Sequence, residues 1–552
     1  MPETTTLDTL THVRPSQLID TDTGAPVDPQ QKNAYDEVPY ESHPYAQSRP
    51  ERLATIATLF GMQPCPVDRC RVLELGCSSG GNIIPLAELY PNSQIVGIDA
   101  SSRQIADGQK VLEKLGLANL RLETRNILDI SPDFGQFDYI IAHGIFTWVP
   151  RNVQDKMLAI CRDNLAPNGV AYISYNTYPG WHMRGIIRDM MNYRARMFDK
   201  PSDRVHHARA LIDFLAQSVP AENNAFGLLL RSEAKILHNK AEYYLLHEHL
   251  EGINEPLYFH EFISQANEAK LQYLGEADFG AMCLQNFAPQ IQKAIQSLSS
   301  DLVQIEQYMD FVRNRMFRQT LLCHAEAALE RSISSNRVAT MYVAADIKPE
   351  NPIDDIRSTA RTSFRGRTGT TATNDPLLKA ALVHLGQIWP QPISFGELLA
   401  TASSKINSES VVISPGTATP EAKRLADLII RGYAGNMMDL SIQPPAFTTT
   451  VPDRPTASRH ARLQAEASNT VTDLRHQYVS LGDLQRQVLP LLDGTNDRKG
   501  LLEKIVDQAI KGSIAVHENG QRVTDRSRLQ VVLEKPLETT LMQLARSALL
   551  MR

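Results

Sequence analysis

The chain has 552 residues, which at roughly 150 per domain predicts about three or four domains and excludes a peptide or a lone small module. Hydrophobic residues make up 42% and charged residues 21%, enough apolar material for several cores and enough charge to keep them soluble. The net charge is −6, from 56 Lys+Arg against 62 Asp+Glu, which argues against a chain devoted to neutralising phosphates, so no nucleic-acid partner is expected.

Residues 1–31 are polar, rich in Thr, Asp and Pro, and read as a disordered arm without the charged and apolar regions of a secretory signal. No later stretch offers about 18 uninterrupted apolar residues, so no membrane span is expected. Cys65, Cys70, Cys77, Cys161, Cys283 and Cys323 lack CxxC spacing and read as reduced thiols of a cytoplasmic protein.

From Arg71 the period changes. Val72–Leu75 and Gln94–Ile98 are short apolar runs separated by a Gly-rich turn and a helix, which predicts a βαβ unit. Further strands are predicted at Leu120–Thr124, Phe137–His143 and Gly169–Tyr175, with helices at Ser102–Leu115 and Val153–Asn164. The fold class is therefore α/β, a Rossmann-like, mostly parallel sheet. Residues 182–252 predict a helical insertion, after which Lys270–Leu274 and Phe317–His324 read as returning strands. That extends the first domain over 32–330. The Gly-, Arg- and Thr-rich stretch Arg357–Thr373 reads as a loop. Three short helices and an apolar segment within 331–450, and a similar style within 456–552, predict two mixed α+β, winged-helix-like domains.

The strongest chemical signal is "VLELGCSSGGN", Val72–Asn82, at a strand-to-helix turn. Gly76, Gly80 and Gly81 permit a tight turn and close backbone approach, and Asp99 ends the next strand where an acid accepts ribose hydroxyls. These features fit a nicotinamide dinucleotide or S-adenosyl-L-methionine. Three details favour the second: Glu74 before the first glycine, Ser78 where a strict GxGxxG has glycine, and Asn126 with the Ile127 amide placed to read an adenine edge. The predicted cofactor contacts are Glu74, Gly76, Cys77, Ser78, Gly80, Asn82, Asp99, Ala100, Asn126, Ile127 and His143.

Together with "FDYIIAHGIFTWVP" (Phe137–Pro150), "SYNTYPGW" (Ser174–Trp181), "EHLEGINEPLYFHEFISQA" (Glu248–Ala266) and "QYMDFVRNRMFRQTLLCH" (Gln307–His324), this loop resembles class I methyltransferases that carry a methyltransferase regulatory domain. Among them it is similar to the rickettsial protein-lysine methyltransferases, over residues 33 to 552. The resemblance implies S-adenosyl-L-methionine as cofactor and an N-terminal segment that closes over it, matched by Tyr35, Asp36, Pro39 and Tyr40. It leaves the acceptor open.

Methyl transfer needs an in-line nucleophile with a free lone pair, so positioning and desolvation dominate. Tyr175, Asn176, Tyr178 and Trp181 after the fifth strand, with His143 as a candidate base, are the predicted catalytic group. Phe146 and Trp148 read equally as packing residues. His206–His207 and His247/His249 lack a third ligand at metal spacing, so no metal is expected. Three functions remain: methylation of a protein lysine, methylation of a small molecule at N or O, and non-catalytic cofactor sensing. More than two hundred residues follow the first domain, and they are expected either to hold a protein acceptor or to form a homodimer. If they hold the acceptor, truncation near residue 330 is expected to lose activity on a protein while cofactor binding is retained, provided the fragment folds.

Overall fold

The computed structural model describes residues 38–406 and 419–552; the polar arm predicted at 1–31 lies outside the described residues. The apolar runs build one seven-stranded sheet: β1 (Arg71–Leu75), β2 (Gln94–Asp99), β3 (Leu120–Thr124), β4 (Phe137–Ala142), β5 (Leu165–Asn176), β6 (Leu271–Glu276) and β7 (Phe317–His324). Their order is 3-2-1-4-5-7-6. The first five are parallel, and β7 runs antiparallel between β5 and β6. Strand order reverses between β1 and β4, which opens a crevice beyond the C-terminal ends of those strands.

The pleat sends alternate residues to two cores. Val72, Tyr139, Ile141 and Tyr172 face one core with helix α1 (Pro50–Leu59). Leu73, Leu75, Ile140 and Ile173 face the other. Short α2 (Ile84–Leu89) leads into β2, and α3 (Ser102–Leu115) leads into β3. The α3 helix starts where the Ser101 hydroxyl accepts from the Gln104 amide and ends at Gly116 with left-handed φ, the ordinary pair of helix boundaries. The α4 helix (Arg151–Asp163) covers the second core.

The predicted insertion is four helices, α5 (Gly180–Ala195), α6 (Pro201–Ser218), α7 (Ala225–His238) and α8 (Glu242–His249), packed around Ile187, Met191, Ile212, Leu230 and Leu245. Then α9 (Phe259–Glu268) joins the second core, and α10 (Pro289–Leu298) and α11 (Leu302–Arg313) precede β7.

Where β6, β7 and α11 meet, Arg318 is fully buried. Its Nε donates to Asp310 at 2.7 Å, Nη1 to Glu276 at 2.9 Å and Nη2 to Glu306 at 3.1 Å, while Phe259 stacks beneath it at 3.6 Å. Arg315 donates to Glu276 at 2.8 Å. Burial pushes the Glu306 and Asp310 carboxyls up; Glu276, although burial pushes it up as well, is held below the ordinary range by Arg315 and Arg318. The cluster is satisfied only as a whole.

The stretch expected as a loop at Arg357–Thr373 contains an antiparallel hairpin, Thr362–Gly366 with Thr370–Thr373. Its threonines are β-branched, and Phe364 is fully buried, so side-chain packing outweighs the loop-like composition. The helices Pro376–Ile388, Phe395–Ile406 and Pro420–Ala434 follow. This middle part shares its core with the sheet: Met341, Val343, Leu382, Leu398 and Leu425 pack in the same cluster as Leu53, Ile56 and Tyr139.

The C-terminal part has its own core, which includes Val471, Leu501, Ile505, Leu533 and Leu541. It contains α12 (Arg459–Ala467), a hairpin of β8 (Thr470–Thr472) and β9 (Tyr478–Ser480), and the 21-residue α13 (Arg526–Arg546). The sequence reading passed over α13, because Pro536 and dense charge interrupt it. Leu529, Leu533, Leu537, Leu541 and Leu544 nevertheless form a buried stripe at helical spacing. Glu88 of the sheet domain accepts from the Arg459 and His460 amides at the start of α12, where a carboxylate meets the positive end of the helix dipole.

The shared core changes the expectation for truncation. A chain ended near residue 330 uncovers the apolar face of α1 and is expected to aggregate without a cooperative melt, whereas a soluble monomer that melts cooperatively refutes the shared-core reading. Arg318→Ala leaves three buried carboxyls with one guanidinium and is expected to lower unfolding free energy by about 3–5 kcal/mol in denaturant titration.

Candidate active site

At the end of β1 the chain turns under the crevice. Gly76 has φ +71, and a Cβ there would lie 2.7 Å from Ile145, so only glycine fits. The Gly76 and Cys77 amides both donate to the Ile98 carbonyl at 2.9 Å, and the Cys77 side chain is buried. Asp99 accepts from the Ser78 amide and the Ser101 amide, each at 2.8 Å, which fixes the carboxylate beside the exposed Ala100. Gly80 has φ +82 and is packed against Ile84 and Leu122. Asn126 is exposed on the loop after β3; its side-chain oxygen accepts from the Leu128 amide at 2.9 Å, and Ile127 beside it is half-buried.

Glu74 is buried beneath this turn. Its Oε1 accepts from Asn82 at 2.6 Å, and its Oε2 is buried with no hydrogen-bond partner. Burial pushes the carboxyl up to about 8, the Asn82 bond opposing the rise and the Asp99 charge adding to it.

Residues 38–48 form a strap across the turn. The Ser78 hydroxyl donates to the Tyr40 carbonyl at 3.5 Å, and the Gly81 amide donates to the Ser42 hydroxyl at 2.8 Å. A Cβ on Gly81 would sit 2.6 Å from the Ser42 oxygen, so the close approach this glycine permits is to the strap. Tyr35 and Asp36 lie outside the described residues; Tyr40 packs edge-on against Tyr243 and His247 of α8. The strap then lays the Tyr45 ring on His143 at 3.7 Å.

His143 follows β4. Its Nδ1 lies 2.8 Å from the Tyr172 hydroxyl and 3.2 Å from Ser174 Oγ, and Phe317 meets it edge-on at 6.0 Å. Burial pushes its pKa down to about 3, so the imidazole is neutral and a weak base. Alternation along β5 separates the aromatic candidates. Ser174 points to His143, but Tyr175 points into the opposite core, stacked on Phe262 at 4.2 Å with its hydroxyl 3.1 Å from Thr320. Tyr175 therefore does not share the cleft with His143, and Phe146 lies in the same core. Asn176 is buried and donates to Asn254 at 3.0 Å. Tyr178 is half-buried at the rim, stacked on His182 at 3.8 Å, and Trp181 meets Trp148 edge-on at 6.1 Å.

Residues 66–220 match the family described as methyltransferase domain, 241–324 the predicted methyltransferase regulatory domain, and 453–549 the PKMT C-terminal winged helix domain. An uncharacterized protein of Rickettsia prowazekii is 35% identical over 94% of this chain and 94% of its own. PKMT2 from Rickettsia typhi, solved in complex with AdoHcy, superposes with a TM-score of 0.80 at 30% identity, over 93% of this chain and 100% of that one. A second protein of Rickettsia prowazekii is 40% identical over 44% of this chain and 97% of its own. The chain belongs to the PKMT family of methyltransferases.

It is an S-adenosylmethionine-dependent enzyme with a Rossmann-like catalytic sheet and a C-terminal winged-helix domain. When bound, the cofactor supplies an electrophilic methyl group on a sulfonium. The residues fit it: the unpartnered Glu74 Oε2 is an acceptor suited to the ammonium of the methionyl part, and Asp99 at the tip of β2 is suited to the ribose hydroxyls. Among the described residues no group of His, Cys, Asp and Glu could hold a metal ion, and no helix is long and apolar enough to cross a membrane.

Ser42, Tyr45, His476 and Tyr478 were missed from the sequence. Ser42 and Tyr45 follow the Tyr35–Tyr40 segment closely enough to have been found; His476 and Tyr478 lie about 400 residues from the loop they touch, with no local signal.

At pH 7, below the raised Glu74 value, the ligand-free carboxyl is mostly protonated, and the ligand-free fold loses stability as pH rises from the ordinary carboxyl range through about 8. An ammonium on Oε2 favours the ionised form, so cofactor binding at pH 7 is expected to release a large fraction of a proton. Calorimetry in buffers of different ionisation enthalpy reads it. Glu74→Gln abolishes the release and weakens binding about tenfold or more; an unchanged proton count in the Gln variant refutes the assignment.

Proposed function

We propose that the acceptor is an amine of a protein side chain, a lysine, presented at the mouth between β5, β7 and α5. The observation that carries this reading is an apolar rim at that mouth. Phe317, 36% exposed, reaches from His143 to the surface. Phe311 and Val312 at the end of α11, Met316 in the turn before β7, and Met183 and Ile186 on α5 are exposed as well, and Asn314 contacts Met183. An enzyme for a small metabolite has no need to hold such a surface in water, whereas a polypeptide acceptor covers it. Likeness to PKMT2 supports the same reading.

The chemistry asks little beyond placement. A lysine begins with a pKa near ~10.4 and needs a free lone pair, which an apolar channel favours by penalising the ammonium. Tyr178 and Trp148, both half-buried, offer aromatic surface to an aminomethyl group, while Trp181 is buried behind Trp148 with Arg184 over its ring. The low pKa of His143 supports a part in positioning, with Tyr45 stacked on it, and argues against its taking the proton.

Incubation of the full chain with radiolabelled cofactor, a proteome and a metabolite extract is expected to label protein, with methyllysine recovered after hydrolysis. Label confined to the metabolite fraction overturns the reading. Phe311→Asp is expected to lower kcat/KM for the protein acceptor by about tenfold with cofactor affinity unchanged.

A further inference from the structure

The turn joining β8 to β9 belongs to the C-terminal domain but ends inside the cofactor site. Asp473 shapes it by accepting from the Arg475 amide at 2.9 Å and the Gln477 amide at 2.8 Å. Leu474 donates to the Ala548 carbonyl, and the Arg475 side chain is paired with Asp439 at 2.9 Å and lies over Trp389. The turn is thus held by three different parts of the chain. His476 at its tip adopts left-handed φ, +63, a conformation costly for a non-glycine residue unless its surroundings hold it. The side chain is 3% exposed, and its Nε2 lies 2.8 Å from Asn82 Oδ1.

The direction of every bond in this chain follows from one fixed donor. The Tyr45 backbone amide, which can only donate, lies 2.9 Å from the same Asn82 atom, so that atom is the oxygen. His476 therefore donates through Nε2–H. The Asn82 amino group must then point the other way, to Glu74 Oε1 at 2.6 Å and to Ser48 Oγ at 3.0 Å. With Oε1 committed to Asn82, Oε2 is the one carboxyl oxygen of Glu74 that lacks a partner. From the same hairpin, the Tyr478 hydroxyl lies 3.2 Å from the Ser42 carbonyl and 3.1 Å from His43 Nδ1, so β9 also holds the strap.

We infer that the C-terminal domain is a working part of the cofactor site, with His476 as a positioning residue that acts through Asn82 to set the Glu74 carboxylate against the cofactor's ammonium. The inference rests on the cofactor and is independent of the acceptor. It also gives a reason for a winged-helix domain to be carried by a methyltransferase: the domain supplies one end of a three-residue relay, His476 to Asn82 to Glu74.

The test compares two ligands on the full-length protein by calorimetry. S-adenosylhomocysteine carries the ammonium, and 5′-methylthioadenosine lacks the amino-acid part. His476→Ala is expected to weaken S-adenosylhomocysteine about tenfold or more and 5′-methylthioadenosine less than about twofold, since Asn82 Oδ1 then keeps only the Tyr45 amide and holds its amino group less firmly against Glu74. His476→Gln, whose amide can donate to Asn82, is expected to recover most of the loss. His476→Leu fills the same space without a donor and serves if the alanine variant does not fold. Equal weakening of both ligands, no weakening of S-adenosylhomocysteine, or a glutamine variant as weak as alanine each overturns the proposal.

Discussion

One buried amide ties the molecule together. Asn82 has a single oxygen and a single amino group, and both ends are used: the strap amide and the C-terminal imidazole on one side, the Glu74 carboxylate on the other. Because a carboxamide rotated by half a turn would face donor to donor and acceptor to acceptor, the three segments are either all in place or all frustrated. Residues 45, 82 and 476 come from three distant parts of the chain, so the cofactor site is complete only after the whole chain has folded.

The same dependence appears in the packing. The middle part contributes Met341, Leu382 and Leu398 to the core that covers one face of the sheet, and the end of the chain reaches back through Glu88 and Asn82. Divisions that are clear along the sequence are therefore weak as physical boundaries. The insertion helices differ: their core is separate, and they touch the site through α8, where Tyr243 donates to Glu41 and His247 lies against the Val38 carbonyl. The strap is held between the insertion on one side and the C-terminal hairpin on the other.

A methyl transfer from a sulfonium needs alignment and dryness more than proton traffic. The cleft is built to that requirement. His143 is neutral, stacked under Tyr45 and bonded to Tyr172, and Phe317 closes one side of it. Behind the sheet, the buried Arg318 cluster fixes β7 and α11 against each other, and so fixes the turn at 314–316 that meets Gly180 and carries the apolar rim.

What the sequence determined by itself was local: strands from short apolar runs, helices from their stripes and caps, the glycine turn, and the acids at Glu74 and Asp99, since each depends on neighbours a few residues away. The strand Phe317–His324 was legible far from the rest of its sheet for the same reason. What only the tertiary structure decided was which of these neighbours meet. The pleat turned Tyr175 into the core, although Asn176 beside it faces the other way; a hairpin formed where composition read as loop; and His476, in a stretch without any motif, became part of the cofactor site. Side-chain direction and long-range hydrogen bonding are set by packing between segments hundreds of residues apart, and no local pattern in the chain encodes that distance.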